Sequence, residues 1–161
     1  MPESQNFIPE DVRRIHMIAV CGTGMGALAC MLKDLGYEVT GSDQNVYPPM
    51  SDFLIARGVE LFHGYRADNL DSKPDLVVVG NAISKDNPEA RQLKALGLAY
   101  CSMPQAVNRF VAAGRQTVIV TRTHGKTTTS ALMAWLLYAV GRDPSFFVGG
   151  ILKNFDSNNR I

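Results

Sequence analysis

The sequence is short of cysteine, of long apolar runs and of net charge, and each shortage closes off a class of function. Its three cysteines, Cys21, Cys30 and Cys101, form an odd set without Cys-x-x-Cys spacing, which predicts neither a disulfide framework nor a zinc site. All three lie in apolar segments and read as buried structural thiols. No uncharged apolar stretch approaches the roughly 20 residues of a membrane span. Residues 1–10 lack the apolar core of a secretory leader, so the expectation is a cytoplasmic protein. A net charge of +1, from 16 basic and 15 acidic residues, offers no basic field to nucleic acid or an anionic membrane. Any anion handled here must be met locally. At 161 residues, 46% hydrophobic and 19% charged, the chain is long enough for one cored domain and little more.

What the sequence does hold is two loops built for phosphate. The stretch Thr121-Arg122-Thr123-His124-Gly125-Lys126-Thr127-Thr128-Thr129 lies between an apolar run at 117–120, read as a strand to 121, and a helical pattern over 130–140. Strand, Gly-Lys-Thr loop and helix make a phosphate cradle. Backbone N–H groups at a helix N-terminus point at the anion, and the macrodipole favours negative charge there. Lys126 then neutralises outer phosphates and Thr127 places a hydroxyl on Mg²⁺. The longer P-loop pattern would put its first glycine at Val120, so the match is incomplete.

The first loop follows a strand at 15–21. Gly22-Thr23-Gly24-Met25-Gly26-Ala27 fills Gly-x-Gly-x-x-[Gly/Ala] and opens a helix that runs to Leu35 and stops at Gly36. A second strand at 37–43 ends in Asp43, roughly 20 residues past the first glycine. There a carboxylate grips a ribose hydroxyl or, alternatively, caps the helix after Pro48-Pro49. A side chain at Gly24 is expected to stand where phosphates must come.

The remaining elements alternate. A short helix at 50–57 precedes a strand at 59–62 that runs into His63-Gly64-Tyr65, and a nearly pure apolar strand at 75–79 empties into Gly80-Asn81-Ala82-Ile83-Ser84. Asn87-Pro88-Glu89 opens a helix that Gly97 closes. A strand at 98–101 and a helix at 103–111 complete the pattern. The expected fold is α/β, a Rossmann-like parallel sheet flanked by helices, with loops at the carboxyl ends of its strands facing one crevice. Residues 1–14 read as a flexible arm, 15–113 as the first domain and 114–161 as the beginning of a second, with the break at 112–116. A strand-helix-strand unit over 117–150 cannot bury both faces, which predicts a second domain truncated here.

The two loops in series resemble the Mur ligases of peptidoglycan biosynthesis, ATP-dependent enzymes that form amides. Cys21-Gly22-Thr23-Gly24-Met25-Gly26, Gly41-Ser42-Asp43-Gln44-Asn45-Val46-Tyr47-Pro48-Pro49-Met50-Ser51, Gly80-Asn81-Ala82 and Asn87-Pro88 resemble the branch that recycles murein peptides. That branch joins UDP-N-acetylmuramate to L-alanyl-γ-D-glutamyl-meso-diaminopimelate. A sibling branch that joins L-alanine shares the glycine loop and Gly-Ser-Asp and remains an alternative. The resemblance implies that Gly22, Thr23, Gly24, Met25 and Gly26 meet the UDP diphosphate. It places Ser42 and Asp43 by the uridine and Asn81, Ala82 and Ile83 along the pocket, while the position of His63, before Gly64 at a strand end on the ligand side, makes it a candidate contact of the UDP-sugar. It also implies ATP on Thr123, His124, Gly125, Lys126, Thr127 and Thr128, with Lys126 and Thr127 catalytic and Mg on Thr127. ATP would phosphorylate the muramoyl carboxylate for attack by the incoming amine. The implied setting is cell-wall biogenesis, and with it cell shape and division.

Arg122 departs from the pattern, because the family reads Gly-Thr-[His/Asn]-Gly-Lys-Thr and places glycine there. A side chain at 122 obstructs the approach of backbone to phosphate, unless its guanidinium grips the phosphate itself. Of the remaining histidines and hydrophobics, His16 reads as a packed or edge histidine, Met17, Met31 and Met133 as core, and Trp135 as core in a longer protein and partly exposed here. Two other classes of function fit parts of the chain. A nicotinamide-dependent oxidoreductase would use the first loop and leave the second without a role, and a nucleotide-sensing module would use both without catalysis.

Overall fold

In the computed structural model, the apolar run at 76–79 sits near the middle of a five-stranded parallel sheet. The structure describes residues 3–161; residues 1 and 2, the start of the expected arm, lie outside the described residues. The strands are β1 (Arg14–Ile18), β2 (Glu38–Asp43), β3 (Glu60–His63), β4 (Leu76–Val79) and β5 (Tyr100–Ser102), in the order β3-β2-β1-β4-β5. Registers pair Met17 with both Gly41 and Val78, so the expected Rossmann-like sheet is what forms.

Helices cover both faces because successive residues of β1 point to opposite sides. Ile15 and Met17 join Val39, Val78 and the buried side of α1 (Thr23–Asp34) in the larger core. Ile18 turns the other way, to Val77, Leu70 and Leu93 of α3 (Pro88–Leu96). α3 shows the expected stop and start signals. Asn87 accepts from the Glu89 and Ala90 N–H groups at 2.9 and 3.3 Å, Pro88 holds the first turn, and Gly97 closes the helix at φ 68°. The remaining helices of this unit are α2 (Met50–Ala56) and α4 (Met103–Ala106), the latter running on as a π-helical turn to Ala112.

Three expectations are corrected. The first strand stops at Ile18, because Ala19 adopts φ 70° and the Ala19 and Val20 N–H groups both turn to the Ser42 carbonyl, at 2.8 and 3.0 Å. Over 6–12 the arm is tied down: Asn6 bridges to Tyr100, Gln105 Nε2 donates to Asn6 Oδ1 at 3.0 Å, and Ile8 and Val12 pack on the core. The expected strand at 117–121 does not form. Among the described residues no strand lies beside it, and Val118 and Ile119 are 63% and 78% exposed. A β-branched run becomes a strand only where a neighbour accepts its hydrogen bonds.

After the cradle, α5 (Lys126–Ala139) leads into an antiparallel hairpin of β6 (Phe146–Leu152) and β7 (Ser157–Arg160). The expected strand-helix-strand unit is thus a helix followed by a hairpin. The hairpin packs on α1, with Phe147 and Ile161 reaching the larger core.

Asp75 ties the start of β4 to that of β1. Its carboxylate accepts from the Arg14 N–H at 2.8 Å and the Arg13 N–H at 3.0 Å. The Arg14 hydrogen bond, aided by that of Arg13 and the Arg14 guanidinium, holds the carboxyl below its ordinary value against the opposing effect of burial. A carboxylate lowered on folding contributes stability above its unfolded value, about pH 4, and that contribution fades as pH falls through the lowered one. Asp75→Asn is therefore expected to cost about 1 kcal/mol at pH 7. In urea unfolding the gap between the two proteins should narrow as the pH falls below about 4; a gap that stays constant would show that the charge plays no part.

Candidate functional site

The carboxyl ends of the parallel strands form the crevice, and its centre is the switch point where β1 and β4 lie side by side while their connections leave in opposite directions. α1 starts there. Gly22 is its N-cap at φ −66° and ψ 144°, exposed, with no side chain to satisfy the first N–H groups of the helix. A Cβ at Gly22 would meet only the Ala19 carbonyl, at 3.9 Å. The N-cap therefore leaves the first N–H groups of the helix without a side-chain acceptor.

The other loop glycines serve packing. A Cβ at Gly26 would lie 2.7 Å from Met50 Sδ and 3.3 Å from the Val20 carbonyl. At Gly24 it would point at Met103 Sδ, 3.2 Å away, and at Phe147 of the hairpin. The expectation that a side chain at Gly24 fills the phosphate position is thus corrected: it would press on the hairpin side of α1. Thr23 is exposed, and Met25 buries its side chain in the core while its backbone stays in the first turn.

Asp43 braces this loop. One carboxylate oxygen accepts from the Cys21 N–H and the other from the Asn45 N–H, each at 2.9 Å. It caps no helix, since the N-cap of α2 is Pro49 and no side chain caps it. His63, opposite Asp43 in the parallel register, is exposed at the end of β3, and the Gly64 N–H returns to the Asp43 carbonyl at 2.8 Å. Asn81 and Ala82 are exposed beyond β4, and Ile83 is half-buried against the second core. Gly80 has to be glycine, because a Cβ there would lie 2.9 Å from the Ile18 carbonyl.

Ser42 is a correction. Its side chain is fully buried and donates to Glu89 Oε2 at 2.5 Å, so it offers no surface to a ligand. Glu89, 0% exposed, also accepts from Asn69 Nδ2, which in turn reaches the Gly64 carbonyl at 3.0 Å. His16 lies beside them as the packed histidine expected, with Nδ1 on Thr40 Oγ1 at 2.8 Å and Nε2 3.9 Å from Glu89. Asn69 Oδ1 and His16 Nε2 have no partner. Each unmet buried acceptor or donor costs about 1–3 kcal/mol.

Tyr65 belongs to the crevice and carried no signal in the sequence. Burial pushes its phenol above the ordinary value, Asp43 adds to the rise, and a hydrogen bond from the Gln44 backbone opposes it. Burial likewise lifts the Cys21 and Cys30 thiols to about 11 and that of Cys101 to about 12. They are neutral at physiological pH and supply no nucleophile.

The second loop is a cradle without a strand beneath it. Gly125 turns at φ 78° into α5, and Lys126 Nζ bonds to the Arg122 and Thr123 carbonyls at 2.8 and 3.3 Å. Thr127 lies against Gly149 and Gly150 of β6, where an added Cβ would come within 3.5 Å of its Oγ1 and 3.6 Å of its Cγ2. Thr123, His124 and Thr128 are exposed. Arg122 is exposed and is not among the residues with positive φ, so it does not reproduce the backbone freedom of a glycine. The lysine, the turn and the threonine fit a nucleoside triphosphate with Mg²⁺; position 122 does not. Among the described residues there is no cluster of His, Cys, Asp and Glu able to hold a metal, and no helix is long and apolar enough to cross a membrane.

Comparison with known proteins identifies the relatives of this chain. Residues 14–115 match the family model described as Mur ligase family, catalytic domain. The UDP-N-acetylmuramate–L-alanyl-γ-D-glutamyl-meso-2,6-diaminoheptandioate ligase of Escherichia coli is 46% identical over 89% of this chain and 31% of its own length. The UDP-N-acetylmuramate–L-alanine ligase of Ruegeria pomeroyi is 37% identical over 96% of this chain and 32% of its own. A crystal structure of the UDP-N-acetylmuramate:L-alanyl-γ-D-glutamyl-meso-diaminopimelate ligase from Neisseria meningitides superposes with a TM-score of 0.90 at 39% identity, covering 94% of this chain and 47% of that one. The chain spans about a third of the length of the curated relatives it matches.

Proposed function

The chain belongs to the Mur ligase family, and from that premise we propose that residues 15–113 hold the UDP of UDP-N-acetylmuramate at the β1–β4 switch point. Residues 114–161 contribute the phosphate cradle of an ATP site. The whole protein is then a cytoplasmic, ATP-dependent ligase that joins UDP-N-acetylmuramate to L-alanyl-γ-D-glutamyl-meso-diaminopimelate. The L-alanine-adding reaction is the second reading, favoured by the similarity to the Ruegeria pomeroyi relative. The observation that carries the proposal is the uncapped, exposed N-terminus of α1 at Gly22, held in place by the two backbone hydrogen bonds of Asp43.

In this reading the diphosphate takes the free N–H groups of the first turn of α1, where the macrodipole favours it. His63 and the Asn81–Ala82–Ile83 loop flank it, and Tyr65 and Asp43 close the crevice behind the nucleoside. In the second loop, ATP would supply the phosphoryl group that activates the muramoyl carboxylate. Lys126 would meet its outer phosphates and Thr127 the Mg²⁺ ion. To do so Lys126 has to leave the Arg122 and Thr123 carbonyls it now holds. UDP-N-acetylmuramate should slow amide exchange in 21–26 and 80–83, whereas NADH should not. Protection by NADH at those segments would favour an oxidoreductase.

Arg122 works against the second site. Arg122→Gly is expected to tighten Mg-ATP binding about tenfold, roughly 1.4 kcal/mol, by restoring backbone approach. Isothermal titration of the two proteins with Mg-ATP decides it. Weaker binding by the glycine variant would make the guanidinium a phosphate ligand.

A further inference from the structure

We infer that Asn69 and Glu89 are a buried positioning pair that fixes the His63-Gly64-Tyr65 turn over the nucleotide crevice, an inference that rests on the proposed UDP site. Neither residue faces the crevice, and both are at least nine-tenths buried. Asn69 Nδ2 has two hydrogens, and the structure gives both a use: one goes to the Gly64 carbonyl at 3.0 Å, the other to Glu89 Oε1. The Gly64 N–H is held on the opposite side by the Asp43 carbonyl at 2.8 Å, and the glycine itself takes φ 77°. The turn is thus gripped at both its donor and its acceptor, with exposed His63 before it and half-buried Tyr65 after it.

Glu89 extends the grip to the rest of the crevice. Its Oε2 accepts from Ser42 Oγ, and Ser42 precedes the Asp43 that braces the glycine loop. Glu89 itself sits in the first turn of α3, the helix that follows the Gly80-Asn81-Ala82-Ile83 loop. One carboxylate therefore connects the ends of β2 and β3 and the helix after β4, three segments whose relative placement defines the site. The network leaves Asn69 Oδ1 and His16 Nε2 without a hydrogen bond. Well-packed apolar side chains would serve stability at least as well. What they would not supply is a directional hold on the Gly64 carbonyl.

The pair acts through geometry, so Glu89→Gln, which keeps the volume and an acceptor for Asn69 but takes away the acceptor of the Ser42 hydroxyl, should weaken UDP about threefold, less than the loss of Asn69. Asn69→Leu, of similar size but without donors, should weaken UDP at least about tenfold by releasing the turn. Calorimetry separates fold from site, because stoichiometry reports the folded fraction and Kd the crevice. Amide exchange in the absence of nucleotide supplies an independent arm. The Gly64 N–H should exchange about tenfold or more faster in Asn69→Leu while that of Met17, in the middle of β1, stays unchanged. If the parent binds no UDP, the functional proposal fails and the exchange result alone judges the turn. If Asn69→Leu does not fold, Asn69→Ser carries the same test with room for water. Parent-like Kd and Gly64 exchange in a folded variant would overturn the inference. So would failure of both Asn69 variants to fold while Glu89→Gln binds normally, since the pair would then serve the fold alone.

Discussion

Gly22→Asp keeps the fold and lowers the affinity for UDP by at least about 100-fold. The backbone at Gly22 is in the extended region at φ −66° and ψ 144°, which suits aspartate, and the space around its Cβ is empty out to the Ala19 carbonyl at 3.9 Å. A carboxylate at an uncapped N-cap accepts from the N–H groups of the first turn and stabilises a helix by about 1 kcal/mol. Those are the N–H groups the diphosphate needs. The new carboxylate would therefore occupy the donors and set a like charge against the phosphates, a repulsion of about 4 kcal/mol at 4 Å and an effective dielectric constant of 20. Even with half of this screened by solvent, the remaining roughly 2 kcal/mol, together with about 1 kcal/mol for the N–H groups already taken by the new cap, keeps the loss near 100-fold, while the melting temperature is held or raised. A variant that melts no lower than the parent and binds UDP equally well would place the nucleotide elsewhere.

Gly41→Ala has the opposite profile, a collapse of stability with no direct bearing on the ligand. Gly41 lies in β2, beside Met17 in the register, and a Cβ there would come within 2.7 Å of Val20 Cβ and Cγ1. Val20 is fully buried and β-branched, with no free rotamer to yield. The expected cost is about 3 kcal/mol, at the high end for overpacking a core. Val20→Ala added to Gly41→Ala should leave much of the cost in place, because alanine removes Cγ1 and Cγ2, at 2.7 and 2.9 Å, but keeps the Cβ, which lies as close as Cγ1. Urea unfolding measures both, and full recovery in the double variant would locate the strain in the Val20 methyl groups instead.

The parts of this fold that were legible in the sequence are those whose causes are local. Residues 76–79 read as a central strand because burial on both faces leaves no polar position. α3 carried its own boundaries in Asn87, Pro88 and Gly97. The run at 117–121 has the same apolar character as 76–79 and forms no strand, since a strand also requires a neighbour and among the described residues none lies beside it. β7, Ser157–Arg160, is wholly polar and becomes a strand through its pairing with β6. Within the site, the glycine loop and Asp43 were visible through spacing. Ser42 was misplaced as a ligand contact because its partner, Glu89, is 47 residues away. Glu89 read as an acid suited to the start of a helix, and nothing near it in sequence showed that it would be buried. Tyr65 was missed for the same reason, as its place beside Asp43 follows from the turn at Gly64.

The central claim is that the first loop is a UDP site, and calorimetric titration of UDP into the 161-residue chain tests it most directly. The account predicts saturable binding with one nucleotide per chain, competed by UDP-N-acetylmuramate and unaffected by NADH. No measurable binding by a folded chain, or displacement of UDP by NADH, would contradict it.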